Sequence, residues 1–534
     1  MRKRIYGLPL FTLCLITLLL GSCKDDWDSH FYPEINGKSN LSLYEYIQSR
    51  PDMSTFAQLL KSKGYDSTLN SAQTFTVWAP TNSSLSGFNV NDTLAVRRLL
   101  QNHITQFSIP TAGITSKTLT MLNNKLLTFA GSGSDYSLAG KPIVEADKAM
   151  RNGIVHVLGN YVPYKLNVWE YLNEKPGLDS VRTFVNSLTQ KKYDASTSFN
   201  ADGVFVDSVF YDYNPVFTYL CKMKSEDSTY TTVFPDNAAW SEAYNRIFPF
   251  FKTLPASGGT ATQVAYAKST LIQDLFFSGK ITVPSQKDTV VSTNGNKISN
   301  INEIIGGIQP DTLSNGLAYK TSLLKHKATE SWYKEIRPEA EYIYATDSLK
   351  SNYSMVATSS IGTGVSVSNK YYLTCVPTTT SSISKLYVRF PIPNTLSTKY
   401  NIYCRFVPSS IVDTADKRPY KVKFYMTYVD ANGNKVNAVA PYSKAGFDAN
   451  HKLTTVTSQI ATFTTDGSSP TKMLVAENFQ FPFCNIVDQS GSSTTSEKTS
   501  VFLKVENVTG TSTTETKNYN RTIRIDCIIL EPVQ

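Results

Sequence analysis

The middle of this chain contains an internal duplication, which limits the folds that the chain can adopt. Residues 43–56 recur at 168–181, with the same order of aromatic, acidic and aliphatic residues before a proline. Residues 76–82 recur at 232–237, one residue shorter, and residues 152–156 recur at 315–319. The repeat has the size of a domain, whereas solenoid arrays repeat every ~20–50 residues. The sequence therefore predicts two copies of one domain.

Each copy mixes helical and strand patterns. In the first copy, the apolar spacing from Leu43 to Lys63 predicts packed helices that are broken at Pro51. Thr74 to Ala79 predicts a buried strand, Leu94 to Ile104 a helix, and Ile154 to Leu158 a closing strand. The second copy carries an insertion near residues 195–221. Its runs 203–206 and 209–211 predict an extra hairpin.

The composition changes after the second copy. Residues 346–369 are rich in Ser, Thr and Gly and predict a linker, placed at 340–369, or a loosely paired sheet edge. Residues 370–534 hold evenly spaced β runs without helical periodicity, and they predict an all-β sandwich or jelly roll. The seven clearest runs are 371–376, 385–390, 400–407, 420–429, 473–483, 500–505 and 522–530. Glu335, Glu339 and Glu341, at the junction with the second copy, are predicted to form a solvated face.

The first 23 residues look like a targeting segment. A basic head precedes an apolar run that is short for a membrane span, and the run ends in Leu20-Gly21-Ser22-Cys23. This ending resembles the lipobox of bacterial lipoproteins, which implies a signal peptide over 1–22, an acylated Cys23 and an anchor linker over 23–39. The alternative is an ordinary signal peptide with a chance cysteine. Lys24-Asp25-Asp26 resembles the signal that places lipoproteins of Bacteroidetes on the outer face of the outer membrane; a solvated linker is the alternative.

The repeated blocks resemble the fasciclin (FAS1) family. The first family signature is matched at residues 76–82, the Leu-rich helix ending in His at 99–103, and the second signature at 152–158. The second copy keeps the two signatures, with Leu275 in place of His103 and Tyr319 in place of His156. The motif residues, to which we assign a structural role, are Thr76, Val77, Pro80, Asn82, His103, Asn152, Gly153, His156, Thr232, Val233, Pro235, Asn237, Asn315 and Gly316.

This resemblance implies a multidomain α+β chain. Two β-cores wrapped by helices, at 40–164 and 165–339, precede the β domain at 370–534. The family implies adhesion and contact with matrix or glycan, and no catalysis. The order of lipobox, two FAS1 copies and β domain resembles lipoproteins that accompany a SusC/SusD-like importer of glycans.

The residues that carry chemistry point away from catalysis, metal and nucleic acid. The net charge of +9 comes from scattered Lys and Arg and forms no basic stripe. The sequence has no Gly-x-Ser-x-Gly, His-Glu-x-x-His or phosphate-binding loop. The cysteines show no Cys-x-x-Cys pairing, and His103 and His156 are more typical of core residues than of ligands. We therefore predict no enzyme, no metal and no cofactor, although paired carboxylates that meet only in space leave a glycan-cleaving enzyme as an alternative.

Tyrosine is abundant, at 31 residues. Tyrosine rings stack on sugar faces, and strand propensity explains the same enrichment equally well. Candidate glycan contacts are Tyr371, Tyr387, Tyr403 and Tyr425. The sequence thus predicts a surface-exposed outer-membrane lipoprotein that binds glycan or an extracellular protein without catalysis. A structural subunit that docks on an importer and binds no glycan itself remains the alternative.

Overall fold

The computed structural model describes residues 38–199, 203–282, 289–343, 350–378, 386–439, 462–487 and 498–533. They form two compact units. The first unit extends to Asn167 and includes Lys224–Asp227 and Leu313–Asn315. The second unit contains Val168–Met223, Ser228–Thr312 and Gly316–Gln534. No helix within these described ranges has the length and apolarity to cross a bilayer. The predicted signal peptide, Cys23 and most of the anchor linker lie outside the described residues.

The first repeat begins with three short helices, α1 (Leu43–Ser49), α2 (Ser54–Ser62) and α3 (Tyr65–Asn70). Ser42 and Glu45 form a capping box at the start of α1, which satisfies main-chain groups that a helix end leaves unpaired. Pro51 opens a 3-10 turn between α1 and α2, because proline tolerates a first helical turn and cannot continue a helix. The predicted break at Pro51 is confirmed.

A buried strand forms the centre of the first repeat. Strand β1 (Phe75–Pro80) is buried along its whole length. It pairs antiparallel with β2 (Ile104–Gln106), which follows helix α4 (Thr93–Gln101), and parallel with β7 (Gly153–Leu158). Four further strands lie between β2 and β7 in the chain: β3 (Ser116–Thr120), β4 (Leu126–Ser132), β5 (Asp135–Leu138) and β6 (Lys141–Met150). All seven form one sheet of order β2-β1-β7-β6-β5-β4-β3.

The second repeat has the same central pairing. Helices α5 (Val168–Glu174) and α6 (Asp179–Ser187) precede it. Strand β10 (Tyr230–Pro235) pairs antiparallel with β11 (Phe276–Ser278) and parallel with β15 (Gly316–Thr321). The other elements are α8 (Asn237–Ile247), α9 (Gly259–Ile272), β12 (Val290–Val291), β13 (Lys297–Ile298), α10 (Ile301–Ile305) and β14 (Asp311–Leu313).

The strand register corrects the alignment of the two copies. Phe75 lies opposite Gly153, and Tyr230 lies opposite Gly316. The two copies therefore align without a gap from this strand into the following turn, and Thr231 is the counterpart of Thr76. The prediction that the second block is one residue shorter, with Thr232 and Val233 in the places of Thr76 and Val77, was wrong because consecutive threonines at 231 and 232 allow two alignments.

The insertion forms a two-stranded ribbon whose pairing differs from the prediction. Strand β8 (Gln190–Tyr193) pairs with β9 (Phe210–Tyr213), and helix α7 (Ala195–Ser198) follows β8. The main-chain carbonyl of Ser198 accepts the N–H of Val206, and its hydroxyl accepts the N–H of Val209. Runs 203–206 and 209–211 do not pair with each other, because both bind the segment that precedes them.

The C-terminal strands form two sheets. In the first, β16 (Lys350–Ser351), β19 (Leu386–Pro391), β25 (Phe502–Asn507), β21 (Lys421–Val429) and β22 (Lys435–Val439) are neighbours in that order, and β23 (Phe463–Thr464) pairs with β21. In the second, the order is β17 (Tyr353–Ser359), β18 (Tyr371–Pro377), β26 (Ile523–Pro532), β20 (Lys399–Phe406) and β24 (Thr471–Gln480). A short helix, α11 (Thr513–Asn518), precedes β26. All seven predicted runs form strands.

Two predicted boundaries change. Of the two alternatives for 340–369, the sheet edge is confirmed and the linker is wrong, since the segment contains β16 and β17 and Tyr353 is buried there. Its polar composition is explained by position, since both strands lie at sheet edges. The predicted third domain is not a separate unit, because main-chain bonds join it to the second repeat: Ser397 N–H donates to Phe250 O at 2.7 Å, and Cys484 N–H donates to Lys252 O at 2.8 Å.

Candidate functional site

Asn82 and Asn237 act as remote helix caps. The Oδ1 atom of Asn82 accepts the N–H of Thr55 at 2.9 Å, in the first turn of α2, whose own N-cap residue provides no side-chain bond. The Oδ1 atom of Asn237 accepts the N–H of Ser180 at 2.9 Å, in the first turn of α6, which also lacks a side-chain cap. Helix ends need such partners, so both asparagines stabilise the fold.

In the Asn-Gly pairs, the asparagine of the first repeat binds the helical segments and the glycine allows a close approach of the neighbouring strand. Asn152 accepts the N–H of Leu43 at 2.9 Å and donates to the carbonyls of Leu69 and Ser71 at 2.8 Å. Gly153 has φ +148, and a Cβ there would lie 1.8 Å from the carbonyl oxygen of Phe75. Gly316 has φ +150, with Tyr230 O at the same 1.8 Å. Only glycine fits these positions.

The two histidines are buried and bonded to main-chain groups. His103 Nδ1 lies 2.7 Å from Leu99 O, and Nε2 accepts the N–H of Val162 at 2.9 Å, which fixes a neutral ring with its proton on Nδ1. Burial lowers the pKa of His103 to about 4, with the bond to Leu99 O opposing this effect. His156 Nε2 lies 2.9 Å from Ile109 O, and Nδ1 accepts the N–H of Asp147 at 3.3 Å. Burial also lowers the pKa of His156.

The second repeat replaces both histidines and retains one of their bonds. Tyr319 occupies the place of His156, and its hydroxyl donates to Ile281 O at 2.8 Å. Ile281 is the counterpart of Ile109, because each N–H binds the equivalent threonine hydroxyl, that of Thr231 and that of Thr76. Leu275 occupies the place of His103: Leu275 O accepts the N–H of Val233, as His103 O accepts that of Trp78. The motif side chains thus bind groups of the fold itself.

The four candidate tyrosines do not form one site. Tyr387 and Tyr425 lie on β19 and β21 of one sheet, on either side of β25. Lys504 of β25 stands between their rings, with Nζ 5.1 Å from the Tyr387 centroid and 3.6 Å from that of Tyr425. Tyr371 and Tyr403 lie on β18 and β20 of the other sheet. The contacts with Lys504 thus bring Tyr387 and Tyr425 together on one sheet.

An exposed apolar surface on the insertion ribbon was not predicted as a site. Val206 is 66% exposed, and the rings of Phe199 and Phe205 lie 5.7 Å apart without being covered. Strands β8 and β9 are exposed on both faces. The signal was present in the sequence as the apolar runs at 203–206 and 209–211, which were read only as strands. We call this set the insertion surface; it consists of Phe199, Val204, Phe205, Val206, Phe210 and Tyr211.

The described residues of the ribbon carry no excess of positive charge, since they include two lysines and three aspartates. Lys191 Nζ and Asp212 Oδ1 form an ion pair at 2.8 Å, and Lys192 Nζ lies 3.4 Å from the Tyr213 ring centroid. Asp194 and Asp207 are the remaining charged side chains of the described ribbon. A surface that binds anionic lipid normally carries an excess of Lys and Arg, which this ribbon lacks. Its mixture of exposed aromatic and aliphatic groups with few charges is typical of a protein contact.

Comparison with known proteins finds a domain family that matches most of the first repeat. Residues 51–162 match the fasciclin domain model. Fasciclin domains are generally non-catalytic adhesion modules, which indicates an adhesion-type role for this part of the chain. No curated protein matches the chain.

Three solved structures are similar over parts of the chain. A FAS1 domain pair from the insect cell adhesion molecule fasciclin I is 14% identical over 52% of this chain and 98% of that chain, with a TM-score of 0.21. A Paenibacillus xanthan lyase is 13% identical over 41% of this chain and 16% of that chain, with a TM-score of 0.19. A carbohydrate esterase of a Shiga toxin-encoding bacteriophage is 14% identical over 35% of this chain and 89% of that chain, with a TM-score of 0.16. We draw no argument from similarities this weak.

Proposed function

We propose that this chain is a lipid-anchored, non-catalytic adhesion protein on the outer face of a bacterial outer membrane, which contacts a protein partner through the insertion surface. It consists of two FAS1-like repeats and a C-terminal β-sandwich. The observation that carries the proposal is the exposure of the large apolar side chains of the insertion surface. The fasciclin match at residues 51–162 and the lipobox at Cys23 support the class and the location.

The ribbon is better suited to docking than to stability. An isolated two-stranded ribbon is only marginally stable in water, so its exposed apolar side chains add little to the fold. Soluble proteins rarely leave such groups together on the surface unless another molecule covers them. The first repeat lacks the ribbon and keeps the same core pairing, so the core does not require it. The ribbon is therefore an added feature whose exposed side chains serve contact.

The test is binding of the purified full chain to detergent-solubilised outer-membrane proteins. A double variant, Phe205→Ser with Val206→Ser, weakens binding at least tenfold if the insertion surface makes the contact. The matched control is Val412→Ser, since Val412 is 67% exposed and lies outside the ribbon. Equal binding by the double variant and the wild type would overturn the proposed surface. Protease treatment of intact cells tests the location, and a chain left uncut would contradict surface exposure.

Glycan binding is a second candidate, favoured by the pair of tyrosines around Lys504. Lys504 Nζ is bonded to Glu506 Oε2 at 2.8 Å as well as standing near both rings. A sugar with a carboxylate suits this surface, because it offers a ring face to tyrosine and an anion to lysine. Binding of the full chain to an array of acidic glycans, lost in Tyr425→Ala and kept in Tyr371→Ala, would favour this candidate. If the chain binds no glycan on the array, contact with a protein partner remains the proposed function.

A further inference from the structure

One edge of the second C-terminal sheet is long and carries no charge. Strand β17 is the outermost strand there, and it pairs antiparallel with β18 along its whole length without a register shift. Its sequence, Tyr-Ser-Met-Val-Ala-Thr-Ser, contains no Lys, Arg, Asp, Glu, Pro or Gly. A free edge of this kind can pair with another chain, and soluble proteins normally block such edges with charges, proline, bulges or short length.

The other sheet edges among the described strands show these protections. In the same sheet, the opposite edge strand β24 carries Lys472 and Glu477, and its pairing with β20 contains register shifts. In the other C-terminal sheet, β16 has only two residues and β22 begins with Lys435. The edge strands of the repeats and the ribbon have at most three residues or carry Lys or Asp. Strand β17 is therefore the unprotected edge of the described sheets.

The outer side of β17 presents main-chain groups that no described residue bonds. At the two ends of the β17–β18 ladder, Asn352 O accepts the N–H of Thr378 at 3.0 Å, and Ser360 N–H donates to Lys370 O at 2.9 Å. Bonds between antiparallel strands recur at every second residue, so the even-numbered residues of β17 bond to β18. The odd-numbered residues direct their N–H and C=O groups outward: Tyr353, Met355, Ala357 and Ser359.

The segment that follows the second repeat lies on β26 and leaves this edge open. Ile336 and Glu339 form β-bridges with Leu530 and Cys527 of β26. The expectation of a solvated face at Glu339 and Glu341 was wrong, since Glu341 is only 3% exposed. None of the described main-chain groups of this segment bonds to β17. The segment therefore does not act as a cover for the strand edge.

Apolar side chains are exposed beside the same edge. Val356, at the centre of β17, is 52% exposed. Val376 of β18 is 43% exposed, and it shares a face with Val356 because it lies opposite Ser354. Ile361, just after the strand, is 71% exposed. Exposed apolar groups beside open main-chain groups favour coverage by another chain.

We propose that β17 pairs antiparallel with β17 of a second copy of this chain, about a two-fold axis at Val356. In this register the odd-numbered residues of the two strands face each other, so every outward main-chain group finds a partner. An axis at Val356, the middle residue, also uses the whole strand. The dimer would join two five-stranded sheets into one continuous sheet, and a two-fold axis closes the assembly.

One face of the strand suits pairing with itself because its side chains match. With the axis at Val356, the two Val356 side chains lie against each other. Ser354 lies opposite Thr358 of the partner subunit, so a hydroxyl faces a hydroxyl. Such β-branched and hydroxyl pairs across neighbouring strands are stabilising, and no like charges oppose each other.

The other face combines large side chains with small ones. Tyr353 lies opposite Ser359 of the partner subunit, and Met355 lies opposite Ala357 of the partner subunit. Each pair thus fills the space between the strands without a clash. An unrelated segment would need the same pattern by chance, whereas a second copy supplies it. The self-matching sequence therefore favours a second copy as the occupant of this edge.

The dimer is expected to be weak in solution. A contact built mainly on one pair of strands is smaller than a standard stable interface, so we expect a dissociation constant in the micromolar range. A dimer would carry two insertion surfaces, and two linked contacts bind a partner more tightly than one. This consequence rests on the proposed function, whereas the dimer itself does not.

Sedimentation velocity of the purified full chain over a series of concentrations tests the dimer. We expect a monomer–dimer equilibrium in the micromolar range. Ala357→Pro should weaken dimerisation at least tenfold, because proline removes an outward N–H and leaves the bonds between β17 and β18 in place. Circular dichroism checks that this variant keeps its fold.

Charges placed at the axis test the register. Val356→Lys and Val356→Glu should each weaken dimerisation at least fivefold, because two like charges then lie against each other. An equal mixture of these two variants should recover most of the lost affinity, because opposite charges meet at the axis. The matched control is Val412→Lys, since Val412 is 67% exposed and lies outside β17. It should dimerise as the wild type does.

Four results would overturn the proposal. The first is a wild-type chain that stays monomeric at hundreds of micromolar. The second is an Ala357→Pro chain that folds and dimerises like the wild type. The third is a mixture of the two Val356 variants that dimerises no better than either alone. The fourth is a dimer lost in the Phe205→Ser, Val206→Ser variant, which would assign the contact to the insertion surface. A monomeric wild type leaves the proposed function untouched, because that function does not require a dimer.

Discussion

The two repeats keep one hydrogen bond and change the residue that makes it. In the first repeat, an imidazole of His156 reaches Ile109 O; in the second, a phenol of Tyr319 reaches the equivalent Ile281 O. The retained element is a ring that carries a donor at a fixed place, since a buried carbonyl without a donor costs free energy. The comparison teaches that the motif histidine serves the fold. Divergence between the repeats appears instead outside the core, where the second repeat carries its ribbon.

The largest expected effect comes from the glycines that both repeats share. Gly153→Ala or Gly316→Ala should each destabilise its repeat by about 4 kcal/mol or more, because a methyl group would collide with a main-chain oxygen at a positive φ. Urea unfolding of each variant measures the loss. Gly64→Ala is the control, since its φ is +77 but its Cβ would meet open space. A large loss of stability from one glycine variant and none from the other would contradict the conclusion that the two repeats share this core pairing.

Acid should destabilise the first repeat through His103. The folded-state pKa of about 4 lies below the ordinary 6.5, so the neutral form is the one that folding favours. This contribution is present above pH 6.5 and is lost as the pH falls towards 4, by about 3 kcal/mol in total. Urea unfolding at pH 7, 5.5 and 4 measures how the free energy of unfolding falls with pH. The variant His103→Leu, which copies Leu275, should lose this part of the pH dependence; an unchanged slope would contradict the assignment.

The shared hydrogen bond can be removed cleanly from the second repeat. Tyr319→Phe keeps the ring and leaves Ile281 O without its donor, at an expected cost of about 1–3 kcal/mol. His156→Phe should cost at least as much, because Asp147 N–H also loses its acceptor. Thermal and urea unfolding of each variant measure both losses of stability. Tyr371→Phe, on an exposed tyrosine, is the control and should change stability by no more than about 0.5 kcal/mol.

The smallest effect on stability is expected for the insertion surface. Phe205→Ser with Val206→Ser should change the free energy of unfolding by no more than about 0.5 kcal/mol per residue, because both side chains are exposed. The same urea experiment tests this. A loss of several kcal/mol would mean that the ribbon supports the second repeat, and the contrast between a shared core and an added contact surface would fail.

Local sequence was sufficient where neighbouring residues decide the structure. The break at Pro51, the strand at 75–80 and the seven C-terminal strands follow from proline geometry and apolar patterning. The pairing of the ribbon was predicted wrongly, because Ser198 competes for the N–H groups of both runs and this competition is not visible in a periodicity.

The candidate sites depend on contacts between distant residues and were harder to predict. Glu339 and Asp526 lie close together only because the segment after the second repeat pairs with the last strand. The four tyrosines looked alike in sequence, and strand order alone separates them into two sheets. The apolar runs of the insertion were visible, but exposure depends on what packs against them. Burial and strand order therefore carried the information that patterning lacked.

The parallel pairing of β1 with β7, and of β10 with β15, governs when each repeat can fold during synthesis. In both, the central strand emerges from the ribosome long before its parallel neighbour, so the core stays open until the repeat is nearly complete. The ribbon lies before β10 and adds nothing to the stretch between β10 and β15. An addition at this position therefore does not delay the synthesis of the closing strand after β10. A contact surface can be gained there without slowing the assembly of the core.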